Sequence, residues 1–196
     1  MSIKSPIQIR PDQAVIRWLA ALLILLFSQQ CLRAQDTATA PEDRIKAVYL
    51  FNFAQFVQWP AGAFPASNAP IVIAVSSESP MRAALAEAIA GETVNGHPFA
   101  MKYLSRGENI GDCHIVFLCR TEQETMAATL AELKNRPVLT VGESAGFCEQ
   151  GGIIGFYRQG QKIRFEMNPQ GADRAHLYIS SKLLNMTRIK STATAR

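Results

Sequence analysis

The sequence predicts an α/β domain: a three-layer sandwich on a mixed, mostly parallel central sheet, with a C-terminal hairpin followed by a helix. Three observations predict it. Two short runs, IVIAV (71–75) and IVFL (115–118), are too uniformly apolar to have a wet face, which marks strands covered on both sides. Helical segments alternate with them. Near the C-terminus GIIGFYR (152–158) and QKIRFEMN (161–168) follow each other with a tight turn around Gln159-Gly160, the pattern of a hairpin.

The elements follow in order along the 196 residues. Residues 1–34 read as an export signal: Arg10 and Arg17 are a positive lead, WLAALLILLF (18–27) is an apolar run, and Ala34 is a small residue for cleavage. The run is shorter than the roughly 20 residues that span a bilayer. SQQC (28–31) lacks the small residue expected before a lipidated cysteine, and an uncleaved anchor is the competing reading. QDTATAP (35–41) is a polar lead-in. A single domain then occupies 42–188, and 189–196 form a frayed tail.

Glu42 and Asp43 open the first helix at its positive end, and Pro60 stops it near Gln58 by disfavouring helical geometry at Trp59. Ile45, Tyr49, Phe53 and Phe56 have the spacing of a buried stripe. Phe51 falls instead on the side of Gln55 and Gln58, so that it and Trp59 are candidates for a partner interface. AGAFPASNAP (61–70) is a loop by composition. Ser79-Pro80 start a second helix that Gly91 ends, and FAMKYL (99–104) reads as a strand nearer an edge. Thr121 and Glu124 form a capping-box pattern ahead of a third helix, with Met126, Leu130 and Leu133 on one side. PVLTV (137–141) returns to strand. Asn168-Pro169 cap a last helix through to about Thr187.

Charge excludes one class of partner. The chain has 20 Lys and Arg against 16 Asp and Glu. Removing the export segment takes Lys4, Arg10, Arg17 and Arg33 but only Asp12, leaving a net charge of about +1. The remaining basic residues are scattered singly, so nothing points to nucleic acid. About 160 residues remain, enough for one sizeable core.

Chemistry-bearing residues are few. Cys113 and Cys119 bound one strand and lie about 20 Å apart, too far to bond to each other. A bridge therefore has to involve Cys148, and Cys119–Cys148 is the candidate; three inert thiols are the other reading. His114 adjoins Cys113, but strand neighbours point to opposite faces, which leaves the thiol without its base. Ser180-Ser181 has no nucleophile-elbow setting. No pair of His, Cys or acidic residues has a metal-site spacing, and no cofactor is implied. The glycines of GESAGFCEQGG (142–152) lack the Lys-Ser/Thr ending of a phosphate loop and read as a turn. Arg174 and His176, placed in the first turns of the last helix, are candidates for an anion site; an exposed Arg beside a capping His is the plainer account.

KAVYLFNFAQFVQWP (46–60), CHIVFL (113–118), PVLTVGESAGFCEQGGIIGF (137–156) and IRFEMN with ISSKLLNM (163–186) together resemble the YfiR-like family of periplasmic proteins. The resemblance implies a non-enzymatic repressor that binds the periplasmic sensor domain of an inner-membrane diguanylate cyclase, lowering cyclic-di-GMP and biofilm formation. It implies an outer-membrane lipoprotein that relieves the repression, and a homodimer is a further expectation. Members with two disulfides would carry cysteines where this chain has Ala74, facing Cys113, and near Gly155, answering Cys148. Gln58 in place of a basic residue weakens any anion site beside Trp59. Two competing functions are a small-anion sensor working through Arg174 and His176 and feeding a different membrane protein, and a thiol enzyme using Cys113.

Overall fold

Residues 41–105, 108 and 110–190 are described by the computed structural model of the protein, so the expected export segment and the last six residues of the tail lie outside the described residues. The first helix, α1, spans 41–56 and is followed by β1 (Val57–Gln58). A 3-10 turn (Ala61–Ala63) and a loop lead to β2 (Ile71–Ser76), α2 (Arg82–Ile89), β3 (Thr93–Val94), β4 (His97–Leu104) and β5 (Ile115–Leu118). Then come α3 (Gln123–Leu133), β6 (Leu139–Gly142), β7 (Ile154–Gln159) and β8 (Lys162–Met167). The chain closes with α4 (Pro169–Arg174), β9 (Tyr178–Ile179), α5 (Ser181–Leu184) and β10 (Arg188–Ile189).

Among the described residues the main sheet has eight strands, in the order β10-β8-β7-β6-β5-β2-β4-β3. The run β4, β2, β5, β6, β7 is parallel; β8 returns antiparallel to β7, and β3 is antiparallel to β4. Register fixes which side chains share a face, because partners across a ladder point the same way. Ile73 pairs with Ile115, and Val141 with Ile154. These residues, with Phe117, Phe156 and Phe165, form one core beneath Ala47, Leu50, Phe53 and Ala54 of α1 and Leu85 and Ile89 of α2. On the opposite face Ala74, Val116 and Leu118 pack with Met126, Leu130 and Leu133 of α3 and with Phe147. Helices on both faces make three layers, and burial on both faces is why β2 and β5 read as unbroken apolar runs.

Five expectations need correction. The buried line of α1 is not Ile45–Tyr49–Phe53–Phe56: Ile45 is 47 % exposed, Tyr49 and Phe56 are half-buried, and the fully buried positions are Ala47, Leu50, Phe53 and Ala54. Two alanines hold nothing between helix and sheet, so α1 settles along its small residues and its larger rings fall to the flanks. There Tyr49 meets Phe165 at 5.4 Å, while Phe53 meets it edge-on at 5.0 Å. Secondly, α1 ends at residue 56, before proline acts, because Val57 and Gln58 pair antiparallel with Ile179 and Tyr178.

Thirdly, the closing helix is two short helices with a strand between them. Asn168 caps α4 as expected, its buried side chain accepting from the Gly171 N–H at 3.1 Å and donating to the Cys148 and Gly152 carbonyls. The helix then stops at His176, which takes φ +56°. Leu177 N–H reaches back to the Ala172 carbonyl and His176 N–H to that of Asp173, the paired bonds of a Schellman stop, with Leu177 buried beyond it. Fourthly, the tail does not fray from residue 189: Arg188–Ile189 pairs parallel with Glu166–Met167. The capping box before α3 does not form either, since Glu122 is the N-cap residue and no side chain caps it.

Candidate functional site

The loop from Trp59 to Pro70 crosses the N-terminal ends of β2, β4 and β5 and is held there by rings. Phe64 lies between two imidazoles, with centroids 4.0 Å from His97 and 4.3 Å from His114, both stacked nearly parallel to it. Trp59 meets Phe64 and His114 edge-on and donates its indole N–H to the His114 carbonyl at 3.3 Å. The His114 Nδ1 accepts from the Val72 N–H at 3.1 Å, so its proton sits on Nε2 and is donated to the Ala63 carbonyl, also at 3.1 Å. Burial pushes the His114 pKa below its usual value, against the hydrogen bond to Ala63, which favours the proton. The His97 Nδ1–H is donated to the Ala69 carbonyl at 2.7 Å.

The C-terminal ends of β6 and β7 carry charge instead. Lys46, on the sheet side of α1, is buried and bridges Glu42 at 2.7 Å and Glu143, which follows β6. Glu42 also pairs with Arg158 on β7, and Glu143 accepts from the Arg120 N–H at 3.1 Å. Burial opposes the Lys46 charge, yet the bonds from Glu143 and Glu42 outweigh it and hold the pKa above the ordinary value. Glu42 is likewise penalised by burial but held below the usual carboxylate range by Arg158 and Lys46. Beside this network a cleft of about 390 Å³ opens at the ends of β2, β4 and β5. Glu78, Glu108, Glu122, Glu124 and Glu132 line it, a wall that repels anionic ligands.

Arg174 and His176 do not sit at a helix N-terminus. Arg174 closes the last turn of the six-residue α4, where the helix field favours cations, and His176 lies exposed beyond its end. Arg174 lines a crevice of about 10 Å³ with Lys134, room for one water at most. Phe51 is half-buried against Phe99 of β4, their centroids 5.6 Å apart, and Trp59 is half-buried in the ring stack. Outward on α1, at helical spacing, stand Ile45, Val48, Asn52 and Gln55; Val48 is 50 % exposed, and Phe51 borders this stripe.

The Cys119–Cys148 bridge is not formed, and register gives the reason. Cys119 continues the Ile115 and Phe117 side of β5, with its thiol on the Ser79 hydroxyl at 3.0 Å. Cys148 packs over Gly155, which points to the other face of the sheet. Cys113, Cys119 and Cys148 are all free and buried, and burial pushes their thiols up to about 11, 12 and 12. At neutral pH none supplies a thiolate nucleophile. The glycines of 142–152 have a packing role: a Cβ on Gly142 or Gly152 would collide with the Phe147 ring, which lies between them.

Sequence reasoning missed two constellations. Lys46 gave a signal, a cation on the same turn of the helix as Ala47 and Leu50, which requires buried carboxylate partners. The stack of Phe64 with His97 and His114 gave none, because its members are far apart in the chain. No group of three or more His, Cys, Asp or Glu among the described residues could hold a metal ion. No helix among the described residues is long and apolar enough to cross a membrane.

The fold and its surface define a three-layer α/β domain with buried free thiols, an acidic cleft and an apolar stripe along its first helix. The match of the YfiR/HmsC-like family model to residues 43–188 is specific, and the chain belongs to that family, one of periplasmic signalling regulators rather than catalysts. No curated protein matches the chain.

Proposed function

We propose that this protein is a periplasmic repressor that binds the sensor domain of an inner-membrane diguanylate cyclase, lowering cyclic-di-GMP and biofilm formation without turnover of a substrate. The observation that carries this reading is the family match across residues 43–188. The outer stripe of α1 supplies the contact: Ile45 and Val48 present apolar surface, Phe51 and the Trp59-Pro60 corner flank it, and Asn52 and Gln55 form a polar rim. An outer-membrane lipoprotein relieves the repression by competing for the repressor, and a second copy of the chain is the rival occupant of the stripe.

Deleting the gene is expected to raise cellular cyclic-di-GMP, and complementation with Ile45→Asp/Val48→Asp is expected to leave it raised although the variant folds with an unchanged circular dichroism spectrum. Unchanged cyclic-di-GMP in the deletion strain overturns the repressor reading. Full complementation by the double variant moves the contact elsewhere on the surface.

A further inference from the structure

We infer that His114 is a proton-operated latch: its neutral ring docks the loop 59–70 onto the sheet, and protonation at Nδ1 releases that loop. This goes beyond the repressor reading and does not depend on it. The imidazole stands where a ladder carbonyl would stand, since His114 N–H already donates to the Val72 carbonyl at 2.8 Å and the Val72 N–H returns to the ring nitrogen at 3.1 Å. A proton on Nδ1 would set two N–H groups against each other across that distance, and one must leave. The ring is also one of the two plates around Phe64 and the donor to Ala63, so its departure removes one side of the stack and a tether of the 3-10 turn together.

His97, the second plate, does not work this way, because its bond to the Ala69 carbonyl uses an N–H that persists in the cation. The groups facing His114 are few. From the loop come the edge of Trp59, the Ala63 carbonyl and Phe64, from β2 the Val72 N–H, and from β4 His97, whose charge would oppose a second one. From its own segment comes Asp112, which is exposed and shares its charge with Arg136 at 3.9 Å. Burial disfavours the charged ring, so it is neutral at neutral pH and its protonation moves below the ordinary imidazole range.

Trp59 reports the latch. The full chain in a Trp18→Phe background has Trp59 as its sole tryptophan. Its fluorescence is expected to change reversibly between about pH 7 and about pH 5, and amide exchange at Val72 and residues 61–69 to accelerate about tenfold beyond the intrinsic pH effect. His114→Asn keeps an acceptor for the Val72 N–H at every pH and abolishes the transition, whereas His97→Gln retains it. A transition that survives in His114→Asn, or one abolished only by His97→Gln, overturns the latch. Should His114→Asn not fold, backbone amide exchange in the unmutated protein decides: equal corrected protection at both pH values overturns it.

Discussion

The two ends of the parallel sheet are closed by opposite chemistries. At the N-terminal ends neutral rings cover the strands: Phe64 between His97 and His114, with Trp59 at the edge. At the C-terminal ends an ionic network of Lys46, Glu42, Glu143 and Arg158 pins α1 to β6 and β7. The task is the same, fastening a segment across strand ends whose outer carbonyls and N–H groups need covering. The difference lies in what each fastening is sensitive to. Rings tolerate salt and fail only when an imidazole takes a proton; a buried ion pair depends on every partner being present and charged.

Removing one partner is the harshest way to break the comparison. Lys46→Ala leaves the half-buried Glu143 without its cation and Glu42 with Arg158 alone, and is expected to cost about 3 kcal/mol in urea unfolding. Replacing Lys46 and Glu143 together by Met and Leu should recover most of that loss, since no uncompensated charge is left behind. A loss equal in both variants would mean that packing, not charge, fastens α1.

A covalent tie placed beside the charged end sharpens the contrast. A Cβ at Gly155 stands 3.3 Å from the Cys148 sulfur, so Gly155→Cys is expected to bond to Cys148 and to raise stability by about 2 kcal/mol under oxidising conditions. Loss of free-thiol titre by two relative to the reduced variant checks the bond. The two-disulfide members that the sequence resembles would carry a cysteine near this site, and here the geometry for it survives without the residue.

Acid should separate the two ends. The His114 pKa is lowered by folding, so the stability it contributes is whole above about pH 6.5 and is lost as pH falls from there. Glu42 is lowered from a carboxylate value, so its contribution is whole above about pH 4.5 and disappears only below that. The Lys46 pKa is raised, which places the loss of its contribution on the alkaline side, beyond about pH 10. Urea midpoints followed from pH 7 downward should therefore sag first as pH falls below about 6.5, and that first step should be absent in His114→Asn.

The smallest expected effect lies away from both ends and serves as a control. His176 holds a left-handed backbone that favours glycine, so His176→Gly should stabilise by about 1 kcal/mol. A shifted acid limb in that variant would show that the third histidine, not His114, carries the titration.

What was legible in the sequence was what local pattern controls. Uniform apolar runs gave the central strands, Met126, Leu130 and Leu133 gave the face of α3, and Asn168-Pro169 gave the start of α4. What was not legible depended on residues distant in the chain. Aromatic spacing in α1 suggested a stripe through Ile45, but alanines decide how closely a helix approaches a sheet. The last helix reads as continuous by composition, yet Tyr178 and Ile179 are claimed by Val57 and Gln58, more than a hundred residues upstream. Adjacent parallel strand ends suggested that Cys119 and Cys148 could meet; the alternation of the sheet put them on opposite faces.

That pairing of residues 57–58 with 178–179 orders events in time. A polypeptide emerges from the ribosome N-terminus first, so α1 is made early, while the rings it rests on, Phe156 and Phe165, and the strand that fastens its end are made late. Its apolar underside stays unsheltered for most of synthesis. Truncation anywhere before residue 179 leaves that helix a ready binding target for chaperones, and the domain closes only once residues 178–179 have been made.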